Sequence, residues 1–137
     1  MICSAAPPSG GRYALTPRFM RHFHIFCMPE ADEEILSTIF EGIILGFLKG
    51  LSFNEKVVRC GSVAVAATIE MYNTITAGLL PIPAKFHYTF NLRDISKVFQ
   101  GILMTKPKSI SDDAKFINLW IHETSRVFHD RLINEED

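Results

Sequence analysis

The residues best placed to do chemistry lie in the run Phe90-Asn91-Leu92-Arg93-Asp94-Ile95. Asn91 is a strong helix N-cap, and Asp94, three residues on, completes a capping box with the shorter acid. Phe90 and Ile95 occupy the two positions of a hydrophobic staple. Arg93 therefore falls in the first turn of a helix, at the positive end of its dipole. A cation there is unfavourable by roughly 0.3–1 kcal/mol. An anion nearby reverses the sign, and phosphate is the natural candidate because the free N–H groups of a helix start already attract one. Spacing alone leaves the alternatives open. A solvated arginine, or one paired with Asp94, is the commoner case, and exposed pairs of that kind contribute little.

Three more arginines lie upstream. Arg12 follows the turn residues Gly10 and Gly11, and Arg18 and Arg21 are spaced three apart where a strand is expected to begin. A planar guanidinium suits phosphate recognition in such places, although surface solvation is the ordinary alternative for each. Other constellations are weaker. His122-Glu123 opens like a metalloprotease helix, but position 126 is Arg rather than the second His, so the zinc motif is absent. His129 is two turns from His122, and His22 and His24 alternate along the expected strand. Two imidazoles fall short of a four-ligand tetrahedral site, so no metal site is expected. No GxSxG or Cys/His nucleophile pattern occurs. Nor does GxxxxGK[ST], or an apolar strand ending in paired acids for magnesium. A complete P-loop-type catalytic site cannot be built from these residues alone.

The elements that must position these groups follow from periodicity. Residues 21–28 (RHFHIFCM) form a short apolar run closed by Pro29, which predicts a buried strand. Pro29 is expected to open a helix with Glu30, Asp32, Glu33 and Glu34 in its first turns. Its apolar residues come in pairs one turn apart, Ile35/Leu36, Ile39/Phe40, Ile43/Ile44 and Phe47/Leu48, and Lys49-Gly50 supplies the stop. Asn54 caps a second helix running to Gly78, with Val58, Val65, Ile69 and Tyr72 on its buried side and Gly61, Ala64, Ala66 and Ala67 allowing close approach. Pro81 and Pro83 make residues 79–90 an extended connector. The helix from Asn91 carries Leu92, Ile95, Phe99, Ile102 and Leu103 on its apolar side, up to Pro107. Ser111 is expected to cap the last helix, whose stripe is Phe116, Ile117, Trp120, Ile121, Val127, Phe128 and Leu132, before an acidic, frayed tail at 134–137. The expected fold class is mainly α: a four-helix body with a remnant of one or two strands.

Composition sets bounds. The chain has 137 residues, enough for one sizeable core, with 47% hydrophobic residues and a net charge of −1. That charge gives no nucleic-acid surface. No apolar run reaches the roughly 18 residues of a membrane span, so no membrane partner is expected, and the N-terminus lacks the layout of a signal peptide. Ile2-Cys3-Ser4-Ala5-Ala6 ahead of Pro7-Pro8 reads as the tail of a strand whose preceding elements are missing. Three cysteines, Cys3, Cys27 and Cys60, form no CxxC pair and fit a reducing, intracellular setting.

Three segments together carry a family resemblance. Ala6-Pro-Pro-Ser-Gly-Gly-Arg12 with Thr16-Pro-Arg-Phe-Met-Arg-His-Phe23 resembles the post-sensor segment of dynein heavy chains. Leu80-Pro-Ile-Pro-Ala-Lys-Phe-His-Tyr-Thr-Phe-Asn-Leu-Arg-Asp-Ile-Ser96 is similar to their lid motif, and His122-Glu-Thr-Ser-Arg-Val-Phe-His-Asp-Arg-Leu132 to their closing helix. Order and spacing match, and the resemblance is nearest to the third AAA+ module of the axonemal type. It implies that residues 1–29 are the C-terminal end of the large α/β subdomain and that 30–137 are the helical lid of an ATP-driven microtubule motor. It implies ATP or ADP with Mg²⁺ in the intact module, without tight binding to this segment alone. The implied partners are neighbouring AAA+ modules, with microtubules and other dynein chains through the full protein, in the axoneme of a cilium or flagellum. Arg93 matches the lid arginine that contacts nucleotide phosphates of its own module. Arg21, with Arg18 as second choice, matches the arginine that reaches the neighbouring module's nucleotide. Departures from the pattern are Ala6 near the sensor-one position, Ser9 for Gly, Tyr13 for Asn and Phe86 for Ser; they put sensor-one function in doubt and leave Arg93 untouched. The rival expectations are an independent helical interaction module and a truncated product with no activity.

Overall fold

The four apolar pairs of the first long helix divide between two faces. Leu36, Phe40, Ile44 and Leu48 are buried, while Ile35, Ile39 and Ile43 are each about half exposed. A spacing of four keeps the first set on one stripe, and one residue's rotation takes its partner off that stripe. The computed structural model describes residues 1–5, 13–29 and 31–134. The chain divides into two units, Met1–Glu30 and Ala31–Asp137.

In the first unit, the one regular element among the described residues is α1 (Pro17–Met20), a single turn with Thr16 at its N-cap and Pro17 in the first helical position. Phe19 and Phe23 pack with ring centroids 5.2 Å apart. The buried strand expected over 21–28 does not form. Arg21 is the C-cap of α1, residues 24–29 are irregular, and Ile25, Phe26 and Met28 are 65, 89 and 90% exposed. Strand backbone must pair its N–H and C=O groups with a neighbour, and no neighbouring strand is present among the described residues. Residues 1–5 are likewise exposed and irregular rather than the tail of a strand. Residues 6–12, with the Gly10-Gly11 turn, Arg12, Ala6 and Ser9, lie outside the described residues.

The second unit is built from α2 (Glu33–Gly50), α3 (Glu55–Gly78), α4 (Leu92–Leu103), α5 (Asp113–Val127) and a closing 3-10 turn, His129–Arg131. The fold is mainly α, and the four expected helices are all present. Helix α2 starts later than Pro29 suggested, with Asp32 as its N-cap; Glu30 lies outside the described residues. The helix ends at Gly50, as Lys49-Gly50 led one to expect, but the left-handed residue that turns the chain is not that glycine. It is Ser52, whose φ is 57°. Ser52 N–H donates to Lys49 O and Phe53 N–H to Leu48 O, the two bonds of a Schellman motif. Phe53 then packs at a tilt against Phe47, ring centroids 5.7 Å apart.

Asn54 caps α3 as expected, its side chain accepting from Lys56 N–H at 3.2 Å. Val57 rather than Val58 is fully buried, beside Val65 and Ile69, and Ala66 is exposed. Helix α2 packs most extensively on α3; α4 lies on α5, and α3 also meets α5. At the α2–α3 crossing, a Cβ on Gly61 would stand 2.8 Å from Leu48 Cδ1, closer than packing allows, so glycine sets that approach. The α3–α5 contact is pinned by a polar link: Trp120 Nε1 donates to Thr68 Oγ1 at 2.8 Å, and the fully buried Thr68 hydroxyl donates to Ala64 O.

Helix α4 ends at Leu103, short of Pro107, where the Thr105 hydroxyl and N–H both bond Ile102 O. Its fully buried Val98 belongs to the apolar side, whereas Leu92 is 42% exposed. Asp112, not Ser111, is the N-cap of α5; the Ser111 hydroxyl instead accepts from Lys115 Nζ. Ile117 and Ile121 fall off the buried stripe of α5, and Glu123 and Thr124 are on it. No helix among the described residues is long and apolar enough to cross a membrane.

Candidate functional site

The start of α4 forms as its sequence dictates. Asn91 Oδ1 accepts from Arg93 N–H at 2.9 Å, and Asn91 N–H donates to Asp94 Oδ2 at 3.1 Å, closing the capping box. Ile95 is fully buried, and Phe90 packs against the core cluster that contains it. Arg93 sits on the exposed side of this first turn.

Asp94 is not the partner of Arg93. It is 2% exposed. Arg131 of the closing turn reaches it with both terminal nitrogens, Nη2 to Oδ1 at 2.7 Å and Nη1 to Oδ2 at 3.2 Å. Lys97 Nζ donates to Oδ1 at 3.1 Å. Burial pushes the Asp94 carboxyl up. The hydrogen bonds from Arg131, Asn91 N–H and Lys97, together with the Arg131 charge, outweigh that effect and hold it below the ordinary value. Asp94 is thus a saturated anion. Among the described residues, no ion pair or side-chain hydrogen bond engages the Arg93 guanidinium.

Arg93 opens onto a depression of about 450 Å³ shared with Phe86, His87, Thr89, Asn91, Asp94, Lys97 and Arg131. Three cations line it with one carboxylate at the capped start of a helix; Lys97 and Arg131 are bonded to that carboxylate and Arg93 is not. Such a surface attracts a multiply charged oxyanion. The departure Phe86, 75% exposed, lines its rim without opposing Arg93.

The other predicted arginines are in the first unit. Arg18 is in the single turn of α1. Arg21 caps that turn, and its Nε donates to His22 Nε2 at 3.2 Å. His122 and His129 are exposed beside Glu123 (3.9 Å) and Asp130 (3.7 Å). No cluster of three His, Cys, Asp or Glu side chains able to hold a metal occurs among the described residues. Sequence reasoning missed Lys97 and Arg131. Lys97 was reachable, since i,i+3 spacing from Asp94 on a helix makes the pair. Arg131 was not, because a contact across 37 residues leaves no periodic trace.

Comparison with known proteins bears on the same segments. Residues 64–137 match the family model described as the AAA+ lid domain. Dynein axonemal heavy chain 1 of Homo sapiens is 49% identical over 146 aligned residues, covering 99% of this chain and 3% of that protein. Dynein axonemal heavy chain 6 of Homo sapiens is 49% identical over 137 residues, covering 100% and 3%. Dynein axonemal heavy chain 12 of Rattus norvegicus is 44% identical over 137 residues, covering 100% and 4%. The chain therefore spans only a few per cent of the length of these relatives. With the lid model over its C-terminal half and dynein heavy chains aligned from end to end, the chain belongs to the AAA+ lid domain family, as a segment of the dynein heavy-chain kind.

Proposed function

We propose that this segment is the nucleotide-sensing lid of an AAA+ module, the third, in an ATP-driven microtubule motor of the axoneme, with Arg93 contacting the phosphates of nucleotide bound by its own module. The observation that carries this reading is the exposed Arg93 guanidinium. It is held at a helix start with no acid among the described residues to satisfy it, while the adjacent Asp94 is fully engaged by Arg131 and Lys97. A cation costs stability in that position unless an anion arrives.

ATP or ADP fits this donor set through its phosphates, which supply the missing charge. The sequence has no phosphate-cradling loop or paired magnesium ligands, so this reading assigns Mg²⁺ and most of the nucleotide to the rest of the heavy chain. Within the lid, Asn91 and Asp94 fix the backbone that carries Arg93, and Lys97 adds positive potential one turn on. Arg21, with Arg18 as the alternative, is assigned to the neighbouring module's nucleotide. The partners are then the adjoining AAA+ modules, with microtubules and other dynein chains engaged through the full protein in a cilium or flagellum.

The test is nucleotide affinity in a heavy chain whose corresponding segment is replaced by this one. Arg93→Ala is expected to weaken ATP binding about tenfold or more, the scale of one charge-assisted contact. The thermal stability of the 137-residue chain should be unchanged or slightly raised, because the residue is exposed and opposes the dipole. Unaltered affinity would contradict the assignment and favour a helical interaction module with no nucleotide link.

A further inference from the structure

The closing 3-10 turn is tied to the start of α4 at four points. Arg131 grips Asp94 with a two-pronged guanidinium. The same guanidinium lies over the Phe90 ring, its Cζ 5.0 Å from the centroid. Its carbonyl oxygen is 3.2 Å from His87 Nε2, and Ile133 N–H donates to the hydroxyl of the buried Tyr88 at 2.9 Å. Phe90 packs at a tilt against Phe128, just before the turn, with ring centroids 6.0 Å apart. The connector ahead of α4 and the chain after α5 thus meet around one side chain, which is itself only 25% exposed.

This geometry has a direction. Arg131 holds Asp94, Asp94 accepts from Asn91 N–H, and the Asn91 side chain accepts from Arg93 N–H. We infer that Arg131 is the positioning residue for Arg93: it clamps the capping box from outside and so fixes where the free guanidinium points. This rests on the reading of Arg93 as the phosphate contact. In this scheme Arg131 positions rather than binds: both of its terminal nitrogens are turned to the Asp94 carboxylate, and its face lies over the Phe90 ring. Lysine cannot replace it fully, since a point charge lacks the planar fork that meets both carboxylate oxygens. Movement of the closing turn would then be felt at Arg93 through three short links, and phosphate held at Arg93 would in turn stiffen the closing turn.

Two measurements decide the inference. In the 137-residue chain, Arg131→Gln should speed hydrogen exchange at the Arg93 amide by about tenfold, while core amides such as Val65 keep their protection. Equal acceleration at Val65 would mean general loosening and would overturn the inference. In a heavy chain carrying this segment, Arg131→Gln should weaken ATP binding nearly as much as Arg93→Ala does. The double variant should then be no weaker than Arg93→Ala alone, because one residue acts through the other. Additive losses would overturn the inference while leaving the Arg93 assignment standing. If Arg93→Ala alone has no effect, the Arg93 assignment fails instead. Arg131→Lys, which keeps the charge and guards against a variant that does not fold, should show the same non-additivity with a smaller loss; wild-type affinity and exchange in Arg131→Lys would count against a role for the fork.

Discussion

At the scale of single residues, two neighbours on one helix turn have opposite fates. Arg93 is a cation without a counter-ion among the described residues, and Asp94 is an anion with more donors than it has oxygens. The capping box was legible in the sequence because it is a local pattern of fixed offsets. The alternative of an Arg93–Asp94 pair was also local, and it lost to a partner 37 residues away that no spacing rule reveals. Asp94 carries a pH signature. Its folded pKa is depressed below the ordinary 3.8, so its contribution to stability is present above that value and is lost as the pH falls through the lowered one. Asp94→Asn should therefore cost roughly 1.5–3 kcal/mol at neutral pH, the scale of hydrogen bonds to a charged group. The gap between variant and wild type should narrow as the pH drops below about 4. Urea unfolding across that range checks it; a gap independent of pH would show that the charge of Asp94 is not what stabilises the turn.

At the scale of elements, helix periods were readable and chain reversals were not. The four long helices follow from apolar spacing, but that spacing does not say which member of each pair faces inward; packing on α3 and α4, where Phe40 stacks on Phe99, decides for Leu36, Phe40, Ile44 and Leu48. The end of α2 at Gly50 was legible, but the left-handed residue was not: glycine usually takes that role, and here Ser52 does. The strand over 21–28 was misread for a related reason: an apolar run reports burial, and burial needs a partner surface. Glu123 is another residue whose role emerges only from packing. Its side chain lies across Gly101 of α4, where a Cβ would collide with it, and its Oε2 accepts from Arg126 at 2.7 Å. Gly101→Ala should thus destabilise by about 1–2 kcal/mol through displacement of that pair. In a Glu123→Ala background the same change should become stabilising by up to ~1 kcal/mol, the helix-propensity gain of Ala over Gly. Thermal unfolding of the four chains reads this directly, and the same sign in both backgrounds would refute the steric account.

At the scale of the whole molecule, the proposed reading makes the helical body a frame for the exposed Arg93. Its core cluster and its Thr68–Trp120 link hold α3 and α5 together, and α5 delivers the closing turn to the start of α4. The family was legible because three motifs recur in order along the chain. The proposed phosphate contact is only half legible: the arginine is in this sequence, and the reading assigns the anion to the rest of a heavy chain. The central proposal is that Arg93 contacts the phosphates of its module's nucleotide, and a lid that senses nucleotide through that contact changes its position with the phosphates present. The most direct measurement is the distance, by paired spin labels, between α4 and the nucleotide-binding core of a heavy chain carrying this segment, with ATP and with ADP bound. The account predicts a distance distribution that shifts between the two nucleotides and stops shifting in Arg93→Ala while both nucleotides remain at saturation. The same shift in Arg93→Ala would contradict it.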